Sequence, residues 1–428
     1  ATIATPYTTV FDSDKEYCID FHFCLKNSTE WADADYAMAS FQEVLQERPA
    51  TLASVEPNNL TLKVQRRTDG YIISNDDVVY EFNLKGDWTT WNVKGTDLLK
   101  STPEYDNYRW IENDGPYESL NQYGADNGIS SKDITVNEQG EDGSTVEVVV
   151  TATGRNCNYT FTYLLHSNGM VNLNASYDAQ ISNIRRIGLS MMFPDDFEDV
   201  EYYALGPWEN YVDRKSGSHL GRYTTTVTDM FEPYPKPQTM GNREGLRDVT
   251  LLNSSTKQGV KVETEGNVAF SLLHYTDLTL KQTKHTWELN PGDICAHFDY
   301  MQRGLGNGSC GQGTGTLYEY QVPATGTYAY TLRFSPVGFP TVGVENITSA
   351  LTDLSISNNR SLEIVTCEGQ LEAGAEMSLY NIGGMRLASI KANAPASQLQ
   401  LSTAGLPRGS YLIVVKNNGK VRNHKIAL

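Results

Sequence analysis

The densest concentration of side chains able to do chemistry lies in ALGPWENYVDRKSGSHLGRYTTTVTDMFEPYPKPQTMGNREGLRDVTL, residues 204–251. Glu209, Asp213, Arg214 and Arg243 are set there among Trp208, Tyr211, Tyr223 and Tyr234. Charges in such aromatic company are normally paired or hydrogen-bonded, because a lone charge drawn out of water is costly. The set can brace loops at the end of a folded domain, or it can present polar groups and flat rings to a polar ligand. A second concentration, FPDDFEDVEYY (193–203), supplies five carboxylates. Adjacent charges on a strand-forming segment read as a solvated edge that discourages edge pairing. The six cysteines (Cys18, Cys24, Cys157, Cys295, Cys310, Cys367) form no CxxC and no Cys/His cluster, so neither a zinc site nor a disulfide framework follows. Cys18 and Cys24, an even number apart, read as two small buried hydrophobes on one face of a strand.

These residues need a scaffold, and the sequence describes one. Period-2 runs dominate: STVEVVVTATG (144–154), YTFTYLLH (159–166), GMVNLNASYDA (169–179), GVKVETEG (259–266) and TYAYTLRFSP (327–336), split by Gly, Asn and Asp turns. Helical periodicity is confined to a weak stretch at Ala37–Leu45 that could equally be extended. The expectation is an all-β protein built of sandwiches. At 428 residues several domains are expected. Two prolines in RPATLASVEPNN (48–59) and the Pro/Gly-rich PVGFPTVGVENITSALTDLS (336–355) mark boundaries. The resulting blocks are 1–58, 59–338 and 345–428. The first has too few strands to fold alone; it leans on the middle block or continues upstream, as part of a longer protein. With 34 Lys plus Arg against 52 Asp plus Glu, the net charge is −18, which disfavours nucleic acid and anionic membrane partners. No run is apolar enough for a membrane helix, and ATIATPYTTV does not read as a signal peptide. A neutral sugar is little affected by that field, and 25 Tyr and 6 Trp supply flat apolar faces with polar tips, although β-sheets are rich in tyrosine on other grounds.

The 204–251 segment resembles the GP-x-ENY-x-DR, PY-x-x-P and G-x-R stretch in the last domain of long bacterial β-galactosidases of glycoside hydrolase family 2. Gly206, Pro207, Glu209, Asn210, Tyr211, Asp213 and Arg214 fit its first half, and Pro233, Tyr234, Pro237, Gly241, Asn242 and Arg243 its second. LLHYTDLTLKQTKHTWEL (272–289), FDYMQRGLGNGSCG (298–311) and KNSTEWADADYAMASFQEVL (26–45) resemble further elements of the same family, so the likeness spans about residues 1–336. The resemblance implies a large galactose-mutarotase-like β-sandwich, flanked by a partial Ig-like N-terminal domain, that supports a separate TIM barrel carrying the catalytic carboxylates. It implies a β-galactoside or related glycan as substrate, with the barrel as partner. Any divalent metal would belong to the barrel, leaving no cofactor in this chain. A retaining glycosidase needs two carboxyl groups about 5 Å apart. The only Asn-Glu pair that could mimic the family's acid/base is Asn137-Glu138 in VNEQGEDGST, which reads as a polar hairpin turn, so no catalytic residue is assigned. The resemblance implies that Trp208, Glu209, Asn210, Tyr211, Asp213, Arg214, Arg243, Asn307, Ser309 and Cys310 shape the outer sugar pocket, with a structural brace as the competing role. Cys310 stands where the family commonly has a stacking tryptophan, and Thr239 and Met240 stand where it often has Glu and Asn; acceptor preference is expected to differ accordingly. Gly304, Gly306, Gly308 and Gly311 imply a loop running close to another surface.

Residues 377–428, MSLYNIGGMRLASIKANAPASQLQLSTAGLPRGSYLIVVKNNGKVRNHKIAL, resemble the C-terminal sorting domain of secreted Bacteroidetes proteins. Gly383-Gly384 and Asn417-Asn418-Gly419 read as turns and Tyr411–Val415 as a buried strand. A small Ig-like appendage without a sorting role is the alternative; either places the protein outside the cytoplasm, in the periplasm or at the cell surface. The functional readings are therefore a glycosidase region completed by an upstream barrel, a free-standing carbohydrate-binding protein, or a mutarotase using His219, His274, His285 or His297 as acid, for which no His/Glu spacing is recognisable. A homo-oligomer is compatible with each.

Overall fold

The computed structural model describes residues 11–54, 60–111, 127–139, 143–180, 184–306, 315–323, 325–339, 354–359, 363–381, 386–407, 409–417 and 420–427. The chain divides into two units, Ala1–Gly343 and Val344–Leu428.

Alternation builds the first unit. On Thr145–Thr153, Val146, Val148, Val150 and Ala152 are buried while their neighbours are not, as the two-residue repeat of a strand dictates. Tyr159, Phe161 and Tyr163 do the same on Cys157–His166, and Leu173, Ala175 and Tyr177 on Val171–Ala179. Antiparallel register sets Val148 opposite Tyr163 and Tyr163 opposite Leu173. These strands belong to a nine-stranded sheet in the order His219–Thr226, Asp199–Gly206, Asp248–Leu252, Gly259–Glu265, Gly326–Val337, Val171–Ala179, Cys157–His166, Thr145–Thr153, Ser131–Gln139. A four-stranded sheet (Ala269–Leu273, Ile294–Gln302, Arg186–Phe193, Ser101–Asp106) and a five-stranded sheet (Lys63–Arg66, Gly70–Ser74, Val78–Asn83, Trp88–Val93, Thr96–Asp97) share one buried apolar cluster with it. The result is an all-β sandwich.

Its centre is aromatic. Trp88 lies 5.4 Å from Trp91 and 5.7 Å from Tyr163, and Trp91 lies 6.2 Å from Phe334, ring centroid to ring centroid. Both indoles are fully buried, so their N–H groups need acceptors: Trp88 donates to the Thr90 carbonyl at 2.8 Å and Trp91 to that of Gly169 at 3.0 Å. Among the described residues the one α-helix is Asp277–Gln282, N-capped by Thr276, whose hydroxyl accepts from the Thr279 amide at 3.1 Å.

Residues 11–54 add a hairpin, Tyr17–Cys24 paired with Ala37–Gln46, on the outside of the sandwich. No described residue of this stretch is fully buried, so polar contacts anchor it. Glu16 accepts from the Tyr203 hydroxyl at 2.8 Å and from both sides of the Arg247 guanidinium, with the Nε contact at 3.1 Å. The Gln42 carboxamide donates to the Leu220 carbonyl at 2.8 Å and accepts from its amide at 2.7 Å. Arg48 donates to the carbonyls of Thr264 and Gly266, both at 2.8 Å. Ala37–Gln46, where a helix and a strand were both open, is a strand.

Three local expectations are corrected. The acidic 193–203 run does not form a sheet edge: Asp199–Gly206 is an interior strand, flanked on both sides, and its charges are paired with Arg222 of the neighbouring strand, on Glu201 at 2.9 Å, and with Lys257 of the turn after Asp248–Leu252, on Asp199 at 2.7 Å. Asn137 and Glu138 are not a turn but part of the strand Ser131–Gln139, opposite Glu147 and Val146, because the β-branched partner strand extends the ladder through them. Cys18 is half-buried and Cys24 exposed, because the hairpin that carries them lies on the outside of the sandwich and has no fully buried residue.

The second unit is a smaller two-sheet arrangement. Ser355–Asn359, Ile364–Leu371 and Ala396–Ser402 form one sheet; Arg386–Lys391, Glu376–Asn381, Ser410–Asn417 and Lys420–Ala427 form the other. Val365, Cys367, Met377, Leu379, Ile413 and Val415 lie fully buried in its core. Residues 383, 384, 418 and 419, read as turns from the sequence, lie outside the described residues.

Candidate functional site

At the end of strand Asp199–Gly206 the chain turns through a cis Gly206–Pro207 bond into the 207–214 segment. Trp208 projects from it, 70% exposed. Glu209 points the other way. Its carboxylate, 6% exposed, accepts from the Arg214 guanidinium, the Tyr234 hydroxyl and the Gly241 amide, the last at 2.9 Å. Burial and this carboxylate push the Tyr234 phenol up to about 12, keeping it a donor. Asn210 is fully buried and knits four backbones: its side chain donates to the carbonyls of Leu205 (3.1 Å) and Trp208 (3.0 Å) and accepts from the Glu244 amide (2.8 Å), while its backbone amide donates to the Asn242 carbonyl (2.7 Å) and its carbonyl accepts from the Asn242 carboxamide (2.8 Å). Tyr211 is buried beneath Arg214, whose guanidinium carbon lies 5.3 Å from the ring centroid. Arg243 donates to the carbonyls of Gly241 at 2.7 Å and Pro207 at 3.2 Å and to the Tyr202 hydroxyl at 3.2 Å.

Asp213 ties this segment to the glycine-rich loop. Its two oxygens accept from the amides of Leu305 (2.9 Å) and Gly306 (2.8 Å). A Cβ at residue 304 would come within 2.5 Å of that carboxylate, so the glycine there is what lets the two loops close. Arg109 donates to the Gly304 carbonyl at 2.9 Å, and Thr316 donates to the same oxygen at 3.0 Å. Asn307, Ser309, Cys310, Gly308 and Gly311 lie outside the described residues. The structure thus brings Glu209, Asn210, Tyr211, Asp213, Arg214 and Arg243 into one interlocked rim, in which each polar group already has a protein partner. Trp208 is the aromatic ring turned to solvent, beside the half-exposed Arg214.

Beneath the rim lies a buried ionic cluster that the motif reading missed. Arg186, fully buried, reaches Asp106 at 3.1 Å, Asp277 at 3.4 Å and Asp299 at 3.5 Å. His297 Nδ1 lies 2.8 Å from Asp106 and 2.5 Å from Arg186. Burial pushes Asp299 up to about 6 against the pull of Arg186 and His297. For Asp106 the order reverses: burial raises it, but Arg186 and His297 together hold it down at about 2. The Asp277 carboxylate also accepts from Thr239 at 2.6 Å, and the Thr239 hydroxyl accepts from the Trp110 amide at 2.8 Å, so the cluster is linked to the segment that carries Gly241 and Arg243. Asp106, Asp277 and His297 converge within 4.8 Å, a spacing a metal ion could use. The Arg186 cation sits among them, however, and the group does not fit a metal. The remaining candidate histidines have local partners: His274 bonds Glu198 and the Gly292 carbonyl, both at 2.8 Å, His285 bonds Glu288 at 3.0 Å, and His219 lies 3.4 Å from the Ser40 hydroxyl. The available sequence signal was a charge inside an apolar strand, Arg186 ahead of IGLSMMF and Asp299 within HFDYMQ; such charges demand buried partners.

Residues 74–334 match the family described as "Beta galactosidase small chain". This chain belongs to that family. The interlocked rim and the buried cluster both fall within the matched small-chain region. Similar proteins include the β-galactosidase of Priestia megaterium (strain DSM 319 / IMG 1521), 24% identical over 345 residues covering 78% of this chain and 33% of that protein. The β-galactosidase of Lactobacillus delbrueckii subsp. bulgaricus is 27% identical over 326 residues, covering 71% and 30%. The chain therefore spans about a third of the length of these curated relatives. Among solved structures, galactose 1-epimerase from Lactobacillus acidophilus NCFM is similar with a TM-score of 0.37 and 11% identity over 64% of this chain and 98% of that one.

Proposed function

We propose that this small-chain region serves a secreted glycoside hydrolase family 2 β-galactosidase, cutting terminal β-galactosides on a catalytic barrel supplied by the remainder of the enzyme. The carrying observation is the rim: Glu209, Asp213, Arg214 and Arg243 are committed to one another and to backbone, while Trp208 stands 70% exposed on the frame they make. In this reading the described carboxylates act structurally and supply no acid/base and nucleophile pair about 5 Å apart across a sugar. The frame holds a flat apolar ring against the outer part of the sugar pocket. Residues 345–428 act as the export appendage in the same reading, placing the enzyme in the periplasm or at the cell surface.

The purified chain is expected to give no turnover of nitrophenyl β-galactoside. Turnover would overturn the division of labour. In the full-length enzyme, Trp208→Ala is expected to raise KM for lactose or shift acceptor preference with a melting temperature changed by little, since exposed substitutions stay within about 0.5 kcal/mol. Unchanged kinetics would remove Trp208 from the pocket.

A further inference from the structure

A cleft of about 520 Å³ opens where the margins of three sheets meet, apart from the rim. Its lining comes from the 83–87 turn of the five-stranded sheet, the strand Ser101–Asp106, the start of edge strand Ser131–Gln139 with the segment ahead of it, and Tyr159 in the nine-stranded sheet. That volume lies within the range of about 300–1,000 Å³ in which small ligands are held. At its base Tyr105 and Tyr159 stack with ring centroids 6.0 Å apart and planes inclined by 26°. Burial raises both phenols, and neighbouring Glu104 and Asp87 raise that of Tyr159 further, so both hydroxyls stay neutral.

The walls carry two ammonium groups, Lys85 and Lys132, and two carboxylates, Asp87 and Glu104. In a chain of net charge −18 this is a locally balanced surface with no preference for either sign of ion. Lys132 and Asn83 both donate to Asp87, the latter at 2.7 Å. They more than offset the upward pull of burial and hold its carboxyl below the usual range, so it remains an acceptor. Lys85, Glu104, Ser130 and Ser131 are exposed along the cleft. Donors and acceptors are thus interleaved above an aromatic base. A polyol needs that combination, since each hydroxyl both donates and accepts while the ring's C–H face is apolar.

From this geometry we infer that the cleft is a second carbohydrate site, taking a neutral mono- or disaccharide on the Tyr105/Tyr159 base between Lys85, Asp87, Glu104 and Lys132. It does not depend on the role given to the rim, with which it shares no residue. The test is ligand-observed saturation-transfer NMR on the purified chain, titrating galactose, lactose and galacturonate against wild type, the Lys85→Ala/Glu104→Ala double variant and Trp208→Ala. Both cleft substitutions are at exposed positions, and tryptophan-fluorescence melting verifies the fold. The expected result is saturable binding of a neutral sugar at about 1 mM, weakened about tenfold, or about 1.4 kcal/mol, in the double variant and retained in Trp208→Ala. Absence of saturable binding, binding that survives the double variant, binding lost in Trp208→Ala, or galacturonate bound more tightly than galactose would each overturn the inference.

Discussion

Replacing Glu209 by alanine withdraws one carboxylate from four donors at once, of which the Tyr211 hydroxyl, at 3.4 Å, is the weakest held. The Gly241 amide, at 2.9 Å, and the Tyr234 hydroxyl lose their acceptor inside a rim that is largely closed to water. Hydrogen bonds to a charged group contribute about 1.5–3 kcal/mol each, so these two come to about 3–6 kcal/mol. Arg214 is half exposed and can turn to solvent, which limits its share to at most about 1 kcal/mol. A net loss of about 4 kcal/mol follows, or about 8 °C at about 2 °C per kcal/mol for a domain of this size. Intrinsic fluorescence is a clean reporter, because all six tryptophans (Trp31, Trp88, Trp91, Trp110, Trp208, Trp287) lie in the first unit. Glu209→Gln keeps an acceptor for Gly241 and is expected to lose about half as much. A fluorescence melt within about 1 °C of wild type for Glu209→Ala, with the Gly241 amide as protected from hydrogen exchange as before, would refute the interlocked-rim account.

Further perturbations follow from the buried charges. Asp299, raised to about 6 in the fold against about 3.9 unfolded, binds its proton more tightly when folded; its contribution to stability is full below pH 3.9 and is lost as pH rises through 6, by about 3 kcal/mol. Asp299→Asn should remove that component, so the difference between variant and wild-type denaturation midpoints grows from pH 4 to pH 7; parallel profiles would rule it out. Glu16, pulled below its usual range by Arg247 and Tyr203 despite burial, works in the opposite sense, stabilising above about pH 4.3 and releasing as pH falls. Glu16→Gln should accordingly speed amide exchange across residues 17–46 at neutral pH, by about 2 kcal/mol of local opening free energy, while the exchange of Val148 and Leu173 in the sandwich core stays unchanged.

The all-β architecture was legible wherever one strand face is buried: Val146, Val148 and Val150 announce their sheet by alternation alone. Interior strands that carry charge were not, because period and composition do not say whether a strand has one neighbour or two. Asp199–Gly206 reads as an edge until Arg222 and Lys257 are seen on the flanking elements. At the rim, residue types and spacing were enough to gather Glu209, Asp213, Arg214 and Arg243. The direction each side chain takes was not visible, since whether Glu209 faces sugar or the Gly241 amide is decided by a segment more than thirty residues away. The Arg186 cluster was hidden for the same reason: Asp106, Arg186, Asp277, His297 and Asp299 are spread over nearly two hundred residues and meet only in the fold.

The two hydrogen bonds between the Gln42 side chain and Leu220 reach beyond anchoring. His219–Thr226 is the terminal strand of the nine-stranded sheet, and an open strand margin is where chains zip together into aggregates. One carboxamide, offering a donor and an acceptor to the same residue, imitates the next strand over the length of a single residue and occupies the position at which a foreign strand would start to align. Hairpin docking thereby also guards a strand margin: release of residues 17–46 would uncover it as a template for self-association.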